Sequence, residues 1–393
     1  MKITKIECIP ISLPRPPPST RGNNIVVVKM YTDEGIVGVA DGGEYMASFG
    51  GQDIVMALIR SWEPILIGAD PFDKELILAK LNHFIHSNTG LSYPNVVGLI
   101  DFVLWDIVGK ALNKPIYQLL GGKANEKLQV DYVMSDIIVP SPEEIARRAV
   151  RAVDNGIRTI CLKVGGLWGG NFERDVINIR TVRKAIGDRE DFHLCIDANG
   201  AMNYTMALEL ARRVEDCNLY KFEQPTPWWD VDGLARLRKN IKIAICAHES
   251  SVKIPGLLEC IKKDACDMVG TRVVWTGGIS ECVRWGAIAK GADLAVYCGS
   301  MNGPFEAAAQ AQWLASDEIY GHLAHANLFP MSYHDTFDTT GELHREDIVV
   351  KPLAYKNGYF YPPEGPGIGL ELNEKAIPGH ITKGMSPITI GGK

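Results

Sequence analysis

The chain has 393 residues, of which 46% are hydrophobic and 22% charged, and its formal net charge is −6. This is more than one hydrophobic core usually spans, so two domains, or one large barrel with an appendage, are expected. The acidic balance and the lack of a clustered Lys/Arg stripe argue against a nucleic-acid partner, because polyanion binding depends on dense positive charge that displaces counterions.

The N-terminal stretch MKITKIECIPISLPRPPP alternates like a strand, then runs into prolines, and holds no apolar core long enough for a signal peptide. A cytoplasmic protein is expected. Further strands lead into the loops RPPPSTRGNN and GEYMASFGG, and helices follow as far as YQLLGGKAN. This texture predicts an α+β unit over residues 1–125, ending at the Gly121-Gly122 punctuation. Its most apolar segment, NVVGLIDFVLWDIVGKAL, carries Asp101 and Asp106, which marks a buried or half-buried helix and not a membrane span.

Across residues 126–354, seven short apolar runs alternate with amphipathic stretches such as SPEEIARRAVRAVDNG and TMALELARRVEDC. The runs are LQVDYVM, RTICLKV, FHLCIDA, LYKFEQP, IKIAICAHE, DMVGTRVV and DLAVYCGS. Strands separated by helices give βαβ units and a parallel sheet. With a weaker eighth run near EIYGHLA, the count predicts an α/β fold of the modified (β/α)₈ TIM-type barrel kind more than an open doubly wound sheet. The tail from residue 355 onward, to 393, is strand and turn again and is expected to return to the first unit. Nine cysteines are scattered without CxxC spacing, which suits reduced thiols better than disulfides or a zinc site.

In such a barrel the chemistry sits at the C-terminal ends of the strands. These ends carry Lys163, Asp197, Glu223, the pair His248-Glu249, and Arg272. Taken alone, Asp197 before Ala-Asn-Gly reads as a turn or helix-cap residue, and Glu223 before Gln-Pro as the partner of a nearby Arg. Asp197, Glu223 and Glu249, however, follow one another at equal intervals of 26 residues, about one βα unit each. Carboxylates on successive strand ends converge and repel, and a hard divalent cation with oxygen preference, Mg²⁺, resolves the repulsion.

The pieces IDFVLWDIVGKALNKPIYQLLGG, CLKVGG, CIDANG, KFEQP, WTGGISE and GPGIGLEL, in this order, resemble the enolase superfamily, in particular its mandelate racemase and muconate lactonizing branch. The resemblance covers nearly the whole chain. It implies a barrel with an N-terminal α+β capping domain, and Mg²⁺-assisted removal of the proton α to a carboxylate by a Lys or His base. By this resemblance Asp197 and Glu223 match the first two metal ligands. The third falls at His248 in one alignment and at Glu249 in another; the repeated interval and the preference of Mg²⁺ for carboxylate favour Glu249. His248 is then a neighbour in substrate contact, or a hydrogen-bonded structural histidine. Lys163 matches the second lysine of the family's paired-lysine motif, the base, and a cation nearby would push its pKa down.

The departures from the pattern matter equally. Cys161 replaces the first lysine of that motif, Arg272 stands where the family has a Lys or an Asp working with a His, and that His position falls at Gly299. Arginine stays protonated and makes a poor base, so a two-base racemase arrangement is incomplete. His322 and His325 in YGHLAH remain as acids to protonate a leaving hydroxyl. The expected function is dehydration of a hydroxylated carboxylic acid such as a sugar acid. A racemase, epimerase or cycloisomerase is the alternative, and a non-catalytic carboxylate-binding barrel is a third reading. A small-molecule carboxylate substrate is expected, contacted from the capping loops by Arg21, Glu44 and Tyr45; a homo-oligomer is expected by resemblance.

Overall fold

The N-terminal alternation forms an antiparallel sheet in the computed structural model, which describes residues 1–13, 23–42, 51–83, 93–134, 141–166, 171–299, 303–317 and 347–392. Its strands are β1 (Ile3–Leu13), β2 (Asn23–Thr32) and β3 (Val37–Gly42). The tail strand Ile388–Gly391 adds to the free edge of β1, giving the order tail strand, β1, β2, β3. The hairpin of Tyr355–Lys356 and Tyr359–Phe360 instead pairs with the two-residue β4 (Leu128–Gln129).

The apolar segment singled out in the sequence is the 18-residue helix Pro94–Ala111, packed against β3. Its two acids are buried without being orphaned. Asp101 accepts from the Ser280 amide (3.0 Å) and hydroxyl (2.6 Å). Asp106 accepts from the amides of Val39 and Ile368, both at 2.8 Å, and from Lys110 Nζ at 2.6 Å. Each carboxylate therefore joins the helix to a chain segment distant in sequence, and buried polar groups are retained only when so satisfied. Among the described residues, no helix is long and apolar enough to cross a membrane.

All seven apolar runs of the second region become strands of one parallel sheet: β5 (Asp131–Met134), β6 (Thr159–Lys163), β7 (His193–Asp197), β8 (Lys221–Glu223), β9 (Ala244–Ala247), β10 (Met268–Thr271) and β11 (Ala295–Cys298). Their order in the sheet is their order in sequence. The eighth run lies outside the described residues. The amphipathic pattern works as expected in Pro142–Asp154, whose N-terminus is capped by Ser141 and whose buried stripe is Ile145, Ala146, Ala149 and Ala152. All nine cysteines are buried and unpaired.

Register is what builds the site. Lys163 lies opposite Asp197, and Asp197 opposite Glu223, so three strand ends present three charged groups in one row. Two residues lower, where side chains return to the same face, the corresponding row is Cys161, Cys195 and Lys221.

Candidate active site

The turn after β7 sets the first half of the site. Asn199 adopts φ 45°, a left-handed conformation that Asn tolerates better than most residues, and its amide donates to Asp197 Oδ1 at 2.8 Å. Asp197 is therefore a turn residue, and its other oxygen is free for a second role. That oxygen, Oδ2, accepts from the Lys163 ammonium. Lys163 also donates to Asn199 Oδ1 (2.8 Å), while Asn199 Nδ2 donates to Glu249 Oε1 (2.9 Å). One asparagine thus links the lysine to a carboxylate three strands away.

The second half is set by Gln224, held at φ 35° directly after β8. Its side-chain oxygen accepts from the amides of His248 (2.9 Å) and Ser250 (3.1 Å), and its Nε2 donates to the Ser250 hydroxyl (2.8 Å). These bonds tie the end of β8 to the segment after β9 and so fix His248 and Glu249. His248 Nδ1 lies 3.1 Å from Glu223 Oε1, and Lys221 Nζ donates to Glu223 Oε2 at 2.8 Å. The His248 ring is stacked with Trp275 and edge-on to Tyr297.

Burial and charge shape the protonation of this cluster. Asp197 is pushed up to about 6, chiefly by burial and then by the Glu223 charge, against the pull of Lys163. Glu223 is also buried, but Lys221 and then His248 outweigh that and hold its carboxyl well below the usual range. His248 is raised: burial opposes its charge, and Glu223 and Glu249 more than compensate. Asp131 on β5, 3.5 Å from Lys221, is pushed up to about 6 by burial.

Whether these residues suit a divalent cation can be judged from charge and donors. Asp131, Asp197, Glu223 and Glu249 face only two lysines, Lys163 and Lys221, so the carboxylates outnumber the lysines by two, an excess that His248 offsets only when protonated. An excess of carboxylate is what a divalent cation would meet. Glu249 Oε2 is buried and makes no hydrogen bond, and oxygen donors are what Mg²⁺ prefers. The donor set fits. No three His, Cys, Asp or Glu among the described residues are already gathered to hold a metal ion; Lys163 occupies Asp197 and His248 occupies Glu223 instead.

Of the residues singled out in the sequence, Lys163, Asp197, Glu223, His248 and Glu249 form one contact network. Arg272 stands at one remove. It is buried, its Nε donates to Glu306 Oε1 at 3.2 Å, and its guanidinium lies 4.9 Å from the Trp275 ring that also stacks on His248. His322, His325, Arg21, Glu44 and Tyr45 lie outside the described residues. Sequence reasoning missed Asn199, Lys221, Asp131 and Glu306. Lys221 was legible: it interrupts an apolar strand two residues before Glu223, so both must share a face.

Residues 9–121 match the mandelate racemase / muconate lactonizing enzyme N-terminal domain, and residues 144–376 the enolase C-terminal domain-like family. An N-succinyl-L-Arg/Lys racemase of Bacillus cereus is 29% identical, over 96% of this chain and 97% of its own. An arabinonate dehydratase of Saccharolobus solfataricus is 29% identical, over 89% of this chain and 88% of its own. The crystal structure of a mandelate racemase/muconate lactonizing family protein from Azoarcus sp. EbN1 has a TM-score of 0.85 at 34% identity, covering 99% of this chain and 100% of that one. Other relatives are named epimerases and cycloisomerases.

Proposed function

The chain belongs to the mandelate racemase / muconate lactonizing branch of the enolase superfamily, whose members here are lyases and isomerases, and from that premise we propose a Mg²⁺-dependent enzyme that removes the proton α to a carboxylate. Its simplest reaction is dehydration of a hydroxylated acid. The observation that carries this reading is the row Lys163, Asp197, Glu223: an amine able to move a proton beside carboxylates that carry excess negative charge. The non-catalytic reading has no support, since the relatives named above are enzymes and the amine keeps its contacts to the acid set.

Asp197, Glu223 and Glu249 would hold the ion. When bound, Mg²⁺ supplies positive charge for the substrate carboxylate and for the negative charge that develops as the proton leaves. Lys163, as the neutral amine that a nearby cation would favour, takes the α-proton at Nζ, with Asn199 fixing that nitrogen in place. Arg272 keeps its charge, pairs with Glu306 and transfers no proton. Its role is to hold an anionic group. A one-base site favours elimination over racemisation, because inversion needs a proton delivered to the opposite face.

A racemase or epimerase remains the second reading, favoured by one contact: among the described residues, His248 is the imidazole within reach of the cluster. The test is α-proton exchange of a panel of hydroxy acids in D₂O, followed by NMR with and without Mg²⁺. The proposal expects metal-dependent exchange that Lys163→Ala abolishes. Exchange that persists in the variant, or that ignores the metal, would overturn it.

A further inference from the structure

We propose that Lys221 is a positioning residue that fixes how Glu223 faces the site, an inference that rests on the reading of Glu223 as a metal ligand. Lys221 is fully buried, and its Nζ meets groups from three different strands. It lies 2.8 Å from Glu223 Oε2 on its own strand β8, 3.5 Å from Asp131 Oδ2 on β5, and 3.2 Å from the ring centroid of Tyr297 on β11. Taking an ammonium group out of water is costly unless counter-charges surround it. Here two carboxylates and an aromatic face do so.

Two consequences follow for the site above it. With Oε2 taken by Lys221, Glu223 presents only Oε1 outward, the oxygen now 3.1 Å from His248 Nδ1. Glu223 is thereby set as a ligand through one oxygen. Lys221 also cancels one negative charge of the cluster. The row in which Lys221 sits otherwise carries the thiols of Cys161 and Cys195, both raised well above the ordinary thiol range by burial, so they contribute no charge there. The cation beneath the site is therefore supplied from β8, two residues before the ligand it steers.

The experiment is a thermodynamic cycle on the full chain, read by calorimetric Mg²⁺ titration. Asp131→Asn with Lys221→Met removes the cation and its second partner together, which keeps the net charge of the cluster unchanged and leaves Glu223 with His248 beside it. This pair of changes is expected to weaken Mg²⁺ binding about 10- to 100-fold, the usual loss when a ligand's orienting partner is removed. In a Glu223→Gln background the same pair should make no further difference, because the effect runs through Glu223. Unchanged affinity in the double variant, or an equal loss in both backgrounds, overturns the inference. If the double variant fails to fold, a Mg²⁺-bound structure of the unaltered chain decides: one Glu223 oxygen on the ion with Lys221 on the other supports it, and two oxygens on the ion refute it. An unaltered chain that takes up no Mg²⁺ refutes the metal reading itself, and the inference with it.

Discussion

The imidazole of His248 fills the space beside Gly299: a Cβ on Gly299 would lie 2.9 Å from both Cε1 and Nε2 of the ring. On the next strand, a Cβ on Gly270 would lie 2.7 Å from its Cδ2. Two strands have given up their side chains so that a ring from a third can occupy the interior. The ring packs against Trp275 and Tyr297 with its Nδ1 3.1 Å from Glu223 and 3.7 Å from Glu249 Oε2, while Glu249 Oε1 accepts from Asn199.

Gly299→Ala should therefore displace the imidazole. Forcing a methyl into this packing costs about 1–3 kcal/mol, and the His248 contact with Glu223 should be lost. Chemical denaturation together with the D₂O exchange assay measures both. A variant as stable and as active as the parent would show that the ring has room to spare.

The donor atoms of these two neighbours also predict the third ligand. Glu249→Gln should weaken Mg²⁺ binding more than His248→Ala does, because both residues carry buried polar atoms without a hydrogen bond but only Glu249 offers the oxygen donor that Mg²⁺ prefers. Calorimetric titration of the two variants compares them directly. The reverse ranking would assign the ligand to His248.

Much of this arrangement was legible in the sequence, and the reason is periodicity. Alternation of strand and helix located all seven strands, and the even spacing of Asp197, Glu223 and Glu249 pointed to a shared site because a βα unit has a nearly fixed length. What escaped were residues defined by their reach across the barrel. Glu306 meets Arg272 from a helix 34 residues away, and no local pattern announces such a pair. Lys221 was overlooked because attention went to strand ends, although a charged residue within an apolar strand demands a buried partner. Asn199 looked like turn chemistry only, and it is that and a bridge to Glu249 as well.

Arg272 and Glu306 are both almost fully buried, 1% and 0% exposed. Removing one member of such a pair leaves a buried charge, so Arg272→Met should cost about 3–5 kcal/mol. Adding Glu306→Leu should recover most of that loss. Arg272→Lys should not behave conservatively, since a point charge cannot both lie flat on the Trp275 ring and meet Glu306. Urea unfolding of the three variants provides the comparison, and a stable Arg272→Met single variant would count against the pairing.

Asp41, at the end of β3, accepts from the amides of Phe305 (3.0 Å) and Glu306 (2.9 Å) at the start of the helix Pro304–Leu314. Burial pushes its carboxyl up to about 7, against those two bonds. The unfolded chain releases this proton near the ordinary carboxyl value of 3.8, while the folded chain keeps it to about pH 7. Between these limits the folded state binds more protons, so the Asp41 contribution to stability falls as pH rises. Asp41→Asn, which does not titrate, should cost about 1–3 kcal/mol at pH 4 through lost acceptors. The wild-type advantage should then fall by about 1.4 kcal/mol per pH unit and reverse in sign before pH 7. A constant difference between pH 4 and pH 8 would remove Asp41 as the cause.

The last prediction concerns the stereochemistry of proton transfer. Lys163 extends from β6 and is anchored to Asp197 and Asn199 on the neighbouring β7 side. Arg272, four strands further round the sheet, is permanently charged and committed to Glu306. Proton abstraction should thus occur on one face of the bound acid only. In D₂O, one enantiomer of a turned-over substrate should exchange its α-proton and the other should not. Lys163→Ala should lower the rate at least 10²-fold, the lower end of what a positioned base contributes, and Mg²⁺ binding should persist because the carboxylates remain. Exchange of both enantiomers at comparable rates would require a second proton-transfer group. His248, in contact with Glu223 and oriented by the Gly270 and Gly299 notch, would then be the first to replace by Gln, and selective loss of exchange from one enantiomer in that variant would move the assignment from dehydratase to racemase or epimerase.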